Sequence, residues 1–190
     1  MFMGTLYCIV FADGNLLMTD THEIFSILRG RLSVLALLGV ALLAPAHAFG
    51  FENSTERLKA TKVCPRCDLS KADLKKADLR NADLRHTVLL HADLKDANLK
   101  EANLSGTILF AADLSGADLS GAKLYGSYLS EANLSGANLR GAILWGTVLF
   151  KANLTGVDMT GASMKGTNLD GALLCRTKMP SGREDNSGCK

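Results

Sequence analysis

Two cysteines three residues apart, in Cys64-Pro65-Arg66-Cys67, form the pattern whose residue types most directly suggest chemistry. A Cys-X-X-Cys pair can pass between dithiol and disulfide, and a depressed thiolate pKa makes one sulfur a nucleophile. Cys175 and Cys189 would complete a four-thiol set of the kind that holds zinc. His86 and His91 offer two imidazoles, and Asp and Asn recur at intervals of five along most of the chain. Asn103-Leu104-Ser105, Asn133-Leu134-Ser135 and Asn153-Leu154-Thr155 have the form of glycosylation sequons. What any of these groups can do depends on the elements that hold them.

Those elements repeat. Leu or Met occupies every fifth position from Leu69 to Leu174, 22 units without a slip, with Met159 and Met164 the two methionines. A helix does not fit, because at about 100° per residue a step of five advances about 140° and scatters the leucines round the cylinder. A long strand does not fit either, since its faces alternate with period two and five is odd. A short strand with a bend in every unit does fit. The residue two before each Leu and the Leu itself then point inward. Eleven of the eighteen glycines fall two after the Leu, at the bend, where a missing Cβ is most useful.

A second period lies inside the first. Thr87, Thr107, Ser127, Thr147 and Thr167 stand two before the Leu at intervals of twenty, and the other units place no Ser or Thr there. Twenty residues are four units, so four bends close one turn and the coil is square. The hydroxyls stack down one inner corner, positioned to bond corner backbone groups.

Tandem Ala-Asp/Asn-Leu-X-X units over about residues 62–179 resemble the pentapeptide-repeat family. Thr61-Lys62-Val63-Cys64-Pro65-Arg66-Cys67-Asp68-Leu69 is similar to the opening segment of exported bacterial members. Leu174 to Pro180, followed by Asn186-Ser187-Gly188-Cys189, is similar to their closing segment. The resemblance implies an all-β fold, a right-handed quadrilateral β-helix or solenoid of about six coils. It implies function only weakly, because most such members are known only as repeats.

In this register Cys64 and Cys67 both face inward, without the strand-to-helix setting an oxidoreductase site needs. A structural disulfide or a pair of core thiols is the better reading. About five coils at ~4.8 Å separate them from Cys175, over roughly 20 Å, too far for a shared zinc. Local pairs are left: Cys64 with Cys67, and Cys175 with Cys189. The Asp and Asn column reads as turn-associated residues and the sequons as by-products of the repeat. His86 and His91 lack a third ligand in sequence reach. The chain shows no nucleophile elbow, P-loop or paired acid–base cleft. We therefore expect no enzyme activity, no cofactor and no metal.

The amino end reads as an export signal. Arg29 and Arg31 precede an apolar run from Leu32 to Ala44, then Pro45 and Ala46-His47-Ala48. This is a basic n-region, a short h-region and an A-x-A site, with cleavage expected after Ala48. Thirteen residues are too few to span a hydrocarbon core of ~30 Å, so no stable membrane anchor is expected once the signal is cut. Residues 1–48 are thus an upstream segment and signal, with Met18 an alternative start. Residues 49–61 form a short capping helix, with Asn53-Ser54-Thr55 as cap residues and Leu58 over the first coil. Residues 62–179 are the β-helix, and 180–190 a capping tail. The mature chain carries 19 basic against 16 acidic side chains, and its four cysteines suit an oxidising periplasmic or extracellular place.

Aromatic residues are only 6% of the chain, so the interior is built from smaller groups. The five aromatics of the repeat region all take outward positions. Folding the sequence at twenty per turn puts Val88, Leu90, Ile108, Phe110, Tyr128, Val148 and Phe150 on one side, and Tyr125, Ile143 and Trp145 on its neighbour. This apolar row is the expected contact surface for a protein partner or a second copy. Between Arg57 and Lys100, eleven Lys or Arg face six Asp, a solvated basic stretch able to attract an anionic surface. We expect an exported, non-enzymatic interaction module that does not bind nucleic acid. One alternative is a thiol–disulfide redox protein using Cys64 and Cys67. The other is a topoisomerase-protecting DNA mimic, a class that is strongly acidic where this chain is basic.

Overall fold

The computed structural model describes residues 7–12, 15–20 and 53–190, in two compact units, Met1–Gly50 and Phe51–Lys190. In the first unit, β1 (Tyr7–Ala12) and β2 (Asn15–Asp20) pair antiparallel from Tyr7↔Asp20 to Ala12↔Asn15. Asp13-Gly14 between two apolar runs is a strong hairpin signal in the sequence. The expected signal, from Arg29 to Ala48, and the expected mature terminus at Phe49 lie outside the described residues.

The second unit opens with α1 (Ser54–Thr61). The Asn53 side chain accepts a hydrogen bond from the Thr55 N–H at 2.7 Å, and Lys62, left-handed at φ 58°, closes the helix by donating to the Leu58 carbonyl. Eight residues are too few for a stable isolated helix. Packing supplies the rest: Leu58 is fully buried and joins the core of the coil, and the Arg57 guanidinium donates to Cys67 Sγ.

From Val63↔Asp83 to Asp158↔Lys178, every bridge in the repeat region is parallel and joins residues twenty apart. Four pentapeptides therefore make one turn. Up to Met159 each inward N–H donates to the carbonyl nineteen residues on, and from Asp83 the residue before the inward Leu or Met donates back to the previous turn. Leu99 to Asp118 at 2.7 Å and Asn98 to Ala77 at 2.9 Å are one such pair. At each corner the next Ala N–H folds back on the Leu carbonyl, as Ala97 does on Leu94 at 3.0 Å.

The corner residue sits at positive φ in every unit from Arg66 to Arg176. Glycine fills most of the later corners, but Lys71, His91, Asp96, Glu101, Ala111 and Glu131 hold the same left-handed conformation with a Cβ in place. The inward Ala and Leu form one continuous buried cluster. The hydroxyl column is buried from Thr87 to Thr147 and half-buried at Thr167: Thr87, Thr147 and Thr167 reach back to carbonyls 23 residues earlier, and Thr107 and Ser127 to the Leu three residues before them.

At the carboxy end the tail adds one strand rather than a full lid. β3 (Thr177–Lys178) pairs antiparallel with β4 (Glu184–Asp185), and the chain then returns so that Gly188 N–H donates to the Leu174 carbonyl. Met164, Leu169 and Leu174, on the last coil, are only partly buried.

Candidate partner-binding face

Side chains next to each inward Leu have no part in the core, so their types are free to serve something else. Consecutive bridges align Asp68, Val88, Ile108, Tyr128, Val148 and Asn168 in one column. Ladder bonds stack Leu90, Phe110, Ser130 and Phe150 beside it. On the neighbouring side, Lys123 bridges Ile143, and the same ladder stacks Tyr125 under Trp145.

The row is not uniformly exposed. Tyr128 is 54% exposed, Trp145 45%, Phe150 39% and Ile108 37%. Val88, Leu90, Phe110, Tyr125, Ile143 and Val148 are half-buried between their neighbours. Tyr125 meets Trp145 edge-on with ring centroids 5.6 Å apart, His91 meets Phe110 edge-on at 6.0 Å, and the Lys151 ammonium stands 5.0 Å above the Phe150 ring. Trp145 donates its indole N–H to Ser163. These contacts fix the rings in place, which lowers the entropy cost of presenting them to a partner.

Val63 and Leu173 are also well exposed, and the apolar row does not include them. Both take the position before an inward residue, the same signal that marked Val88; Leu173 ends an otherwise polar column, and Val63 shares a column with Ile143 but is separated from it by Asp83, Asn103 and Lys123.

The remaining chemistry is absorbed by structure. Cys64 and Cys67 are joined by a disulfide, as are Cys175 and Cys189. The first pair is almost wholly buried. Asp and Asn carboxyl and amide oxygens accept the backbone N–H two residues on, as Asp68 does from Ser70 at 2.9 Å and Asn133 from Ser135 at 3.2 Å. Side chains also bond between coils, Asn133 to Asp113 and Asn153 to Asn133 at 3.1 Å each. The Thr160 hydroxyl and N–H, with Arg140 behind them, hold the Asp158 carboxyl down at about 2. The Arg80 guanidinium and Lys62 ammonium keep Asp78 well below the usual carboxylate range. Ion pairs of Arg80 with Asp78 and Arg85 with Asp83, both at 2.8 Å, neutralise part of the basic excess in the first coils. Among the described residues no three His, Cys, Asp or Glu come close enough to hold a metal, and no helix is long and apolar enough to cross a membrane.

The family model "Pentapeptide repeats (8 copies)" matches residues 67–106, 107–146 and 146–179, more than half of the chain. No curated protein matches. Among solved structures, the chain is similar to a pentapeptide repeat protein, Rfr23, from the cyanobacterium Cyanothece: 29% identity over 63% of this chain and 92% of that one, with a TM-score of 0.33. It is similar to HetL from Nostoc, described as involved in heterocyst differentiation regulation, at 30% identity over 65% and 76%, TM-score 0.32. A pentapeptide repeat protein of the Arabidopsis thaliana thylakoid lumen shows 29% identity over 62% and 69%, TM-score 0.36.

Proposed function

Because the chain belongs to the pentapeptide-repeat family, whose members fold as right-handed quadrilateral β-helices, we propose that it is an exported, non-enzymatic interaction module. Its β-helix of about six coils is capped by α1 at the amino end, and its apolar side binds a protein partner or a second copy. One observation carries this reading. Ile108, Tyr128 and Phe150 lie exposed on successive coils, beside an exposed Trp145, at positions the core does not use. Exposed aromatic anchors of this kind dominate the energy of protein interfaces.

Export is supported by the n-, h- and c-regions before Phe49 and by two disulfides, which persist in oxidising compartments. Burial of Cys64 and Cys67 favours a structural bond over a redox centre, whose attacking sulfur must be accessible. The basic mature charge speaks against mimicry of DNA.

Site-specific photocrosslinking in the producing cell tests the reading. A photoreactive residue at Tyr128 should give a discrete crosslinked species, and the same residue at Asn138, on a polar side, should give none. Equal crosslinking at both positions contradicts it.

A further inference from the structure

The corners that flank the apolar side obey different rules at its two edges. Corner residues stack in four columns, one for each corner of the coil. From Gly106 to Gly166 three of these columns are glycine at every coil, among them Gly106, Gly126, Gly146 and Gly166 on the edge that precedes the apolar side. The column on its other edge holds His91, Ala111, Glu131 and Lys151, all at φ between 52° and 60°. A left-handed φ is costly for any residue with a Cβ, and such strain gathers where a side chain serves a function. Crowding does not explain the glycines, because a Cβ at Gly126 or Gly146 would meet nothing within 4 Å. Contacts within the chain do not explain Glu131, which is exposed and held by no ion pair among the described residues.

We propose that the apolar side, if it is the binding face argued above, receives the same side of a second copy about a two-fold axis parallel to the coil axis. Such an axis keeps every coil at its own level and exchanges left with right. Val88, Ile108, Tyr128 and Val148 then face the partner's Leu90, the partner's Phe110, the partner's Ser130 and the partner's Phe150. Tyr128, the most exposed of the row, meets the smallest residue opposite it, and the others meet apolar groups.

The edges interlock in the same register. Ala111, Glu131 and Lys151 enter the glycine column of the other copy, at the partner's Gly106, the partner's Gly126 and the partner's Gly146. Just beyond the last two stand the partner's Tyr125 and the partner's Trp145. A tyrosine hydroxyl there can donate to Glu131, and the Lys151 ammonium can stand over the indole. One arrangement thus uses the row, both rings on the adjoining side, the side chains at one edge and their absence at the other. An antiparallel pairing centred on Tyr128 does not, since it sets Glu131 against the partner's Glu131 and Leu90 against the partner's Asp170.

The five coils from Val88 to Asn168 span ~24 Å at sheet spacing, and a side with its corners is roughly 20 Å wide. Two such sides bury on the order of 1,000 Å², the lower bound for a specific interface, so association is expected at micromolar concentration. Each copy has one such side, and association closes at two.

Sedimentation of the purified protein from about 1 µM to about 200 µM should show it reaching a dimer. Gly126→Asn puts a side chain where Glu131 of the other copy must sit, in a residue type that tolerates this φ, and should weaken the dimer at least about fivefold. Gly136→Asn makes the same change at a corner between polar sides, with the same open space, and should leave association unchanged. Adding Glu131→Gly to Gly126→Asn empties the opposite position and should bring association back to within about threefold of the wild type. A protein monomeric throughout, no loss from Gly126→Asn, an equal loss from Gly136→Asn, or no recovery in the double variant would each overturn the proposal. A monomeric protein whose Tyr128 position still crosslinks a different protein in the cell would reject the second copy and keep the binding face. A monomeric protein that crosslinks nothing there would reject both.

Discussion

Thr147 Oγ1 reaches back 23 residues to donate to the Leu124 carbonyl at 2.6 Å, and Ser127 Oγ donates to the same oxygen at 2.8 Å. Two coils are thereby pinned to one buried acceptor. Thr147→Val keeps the shape and removes one donor, and we expect it to cost about 1 kcal/mol. Ser127→Ala should cost a similar amount. The double variant should cost more than the two together, because only the 3.2 Å bond from the Ser127 N–H would then hold that carbonyl. Denaturant unfolding of the four proteins measures the coupling, and strict additivity would mean the hydroxyl column is not cooperative.

The corners predict a gain. Ala111 holds φ 52°, a conformation that costs a residue with a Cβ about 1–2 kcal/mol. Ala111→Gly removes that strain and adds about 0.4–1 kcal/mol of unfolded-state entropy, so the variant should be more stable by up to about 1 kcal/mol. The reverse change at Gly136, φ 69° with open space around it, should destabilise by a similar amount. Thermal midpoints of both variants decide the sign.

The tail should be sensitive where the corners are tolerant. A Cβ at Gly188 would stand 2.8 Å from the Leu174 nitrogen and 2.9 Å from its oxygen, so Gly188→Ala must push the tail from the coil. Cys175→Ala with Cys189→Ala opens a loop of 14 residues and should cost about 3 kcal/mol. Limited proteolysis should cut near Arg183 faster in both variants and leave the coil whole.

Acid should weaken the last coils through Asp158. Its carboxyl titrates at about 2 in the folded chain against an ordinary 3.8, so the folded state favours the ionised form. Its contribution is full above pH 3.8 and is lost as pH falls through about 2. Asp158→Asn keeps an acceptor for Thr160 but removes the charge. Between pH 6 and pH 2 this variant should lose less stability than the wild type, and parallel curves would show that the carboxylate adds nothing.

The coil was legible because one constraint is written many times. A Leu at every fifth position excludes helix and long strand, and a hydroxyl at every twentieth fixes four units per turn. The corners were only half legible. Gly106 and its successors mark a left-handed bend, but Lys71, His91 and Ala111 hold the same φ because the ladder on both sides of the corner imposes it, and tertiary structure overrides local preference there. Which outward residues are exposed could not be read from register alone. Phe110 and Tyr125 share the register of Phe150 and Trp145, yet lie half-buried beside His91 and under Trp145. The uneven tail was hidden because its pairing depends on a two-residue strand, too short to leave a pattern.

The central claim, that the exposed row is a binding face, is tested most directly by one pair of substitutions. Tyr128→Lys with Phe150→Lys changes only side chains outside the core, so circular dichroism and the thermal midpoint should match the wild type. In the producing cell, formation of the crosslinked species, followed from a photoreactive residue at Ile108, should fall at least tenfold, since losing two aromatic anchors typically costs more than about 1.4 kcal/mol. Undiminished crosslinking by a folded double variant would contradict the claim.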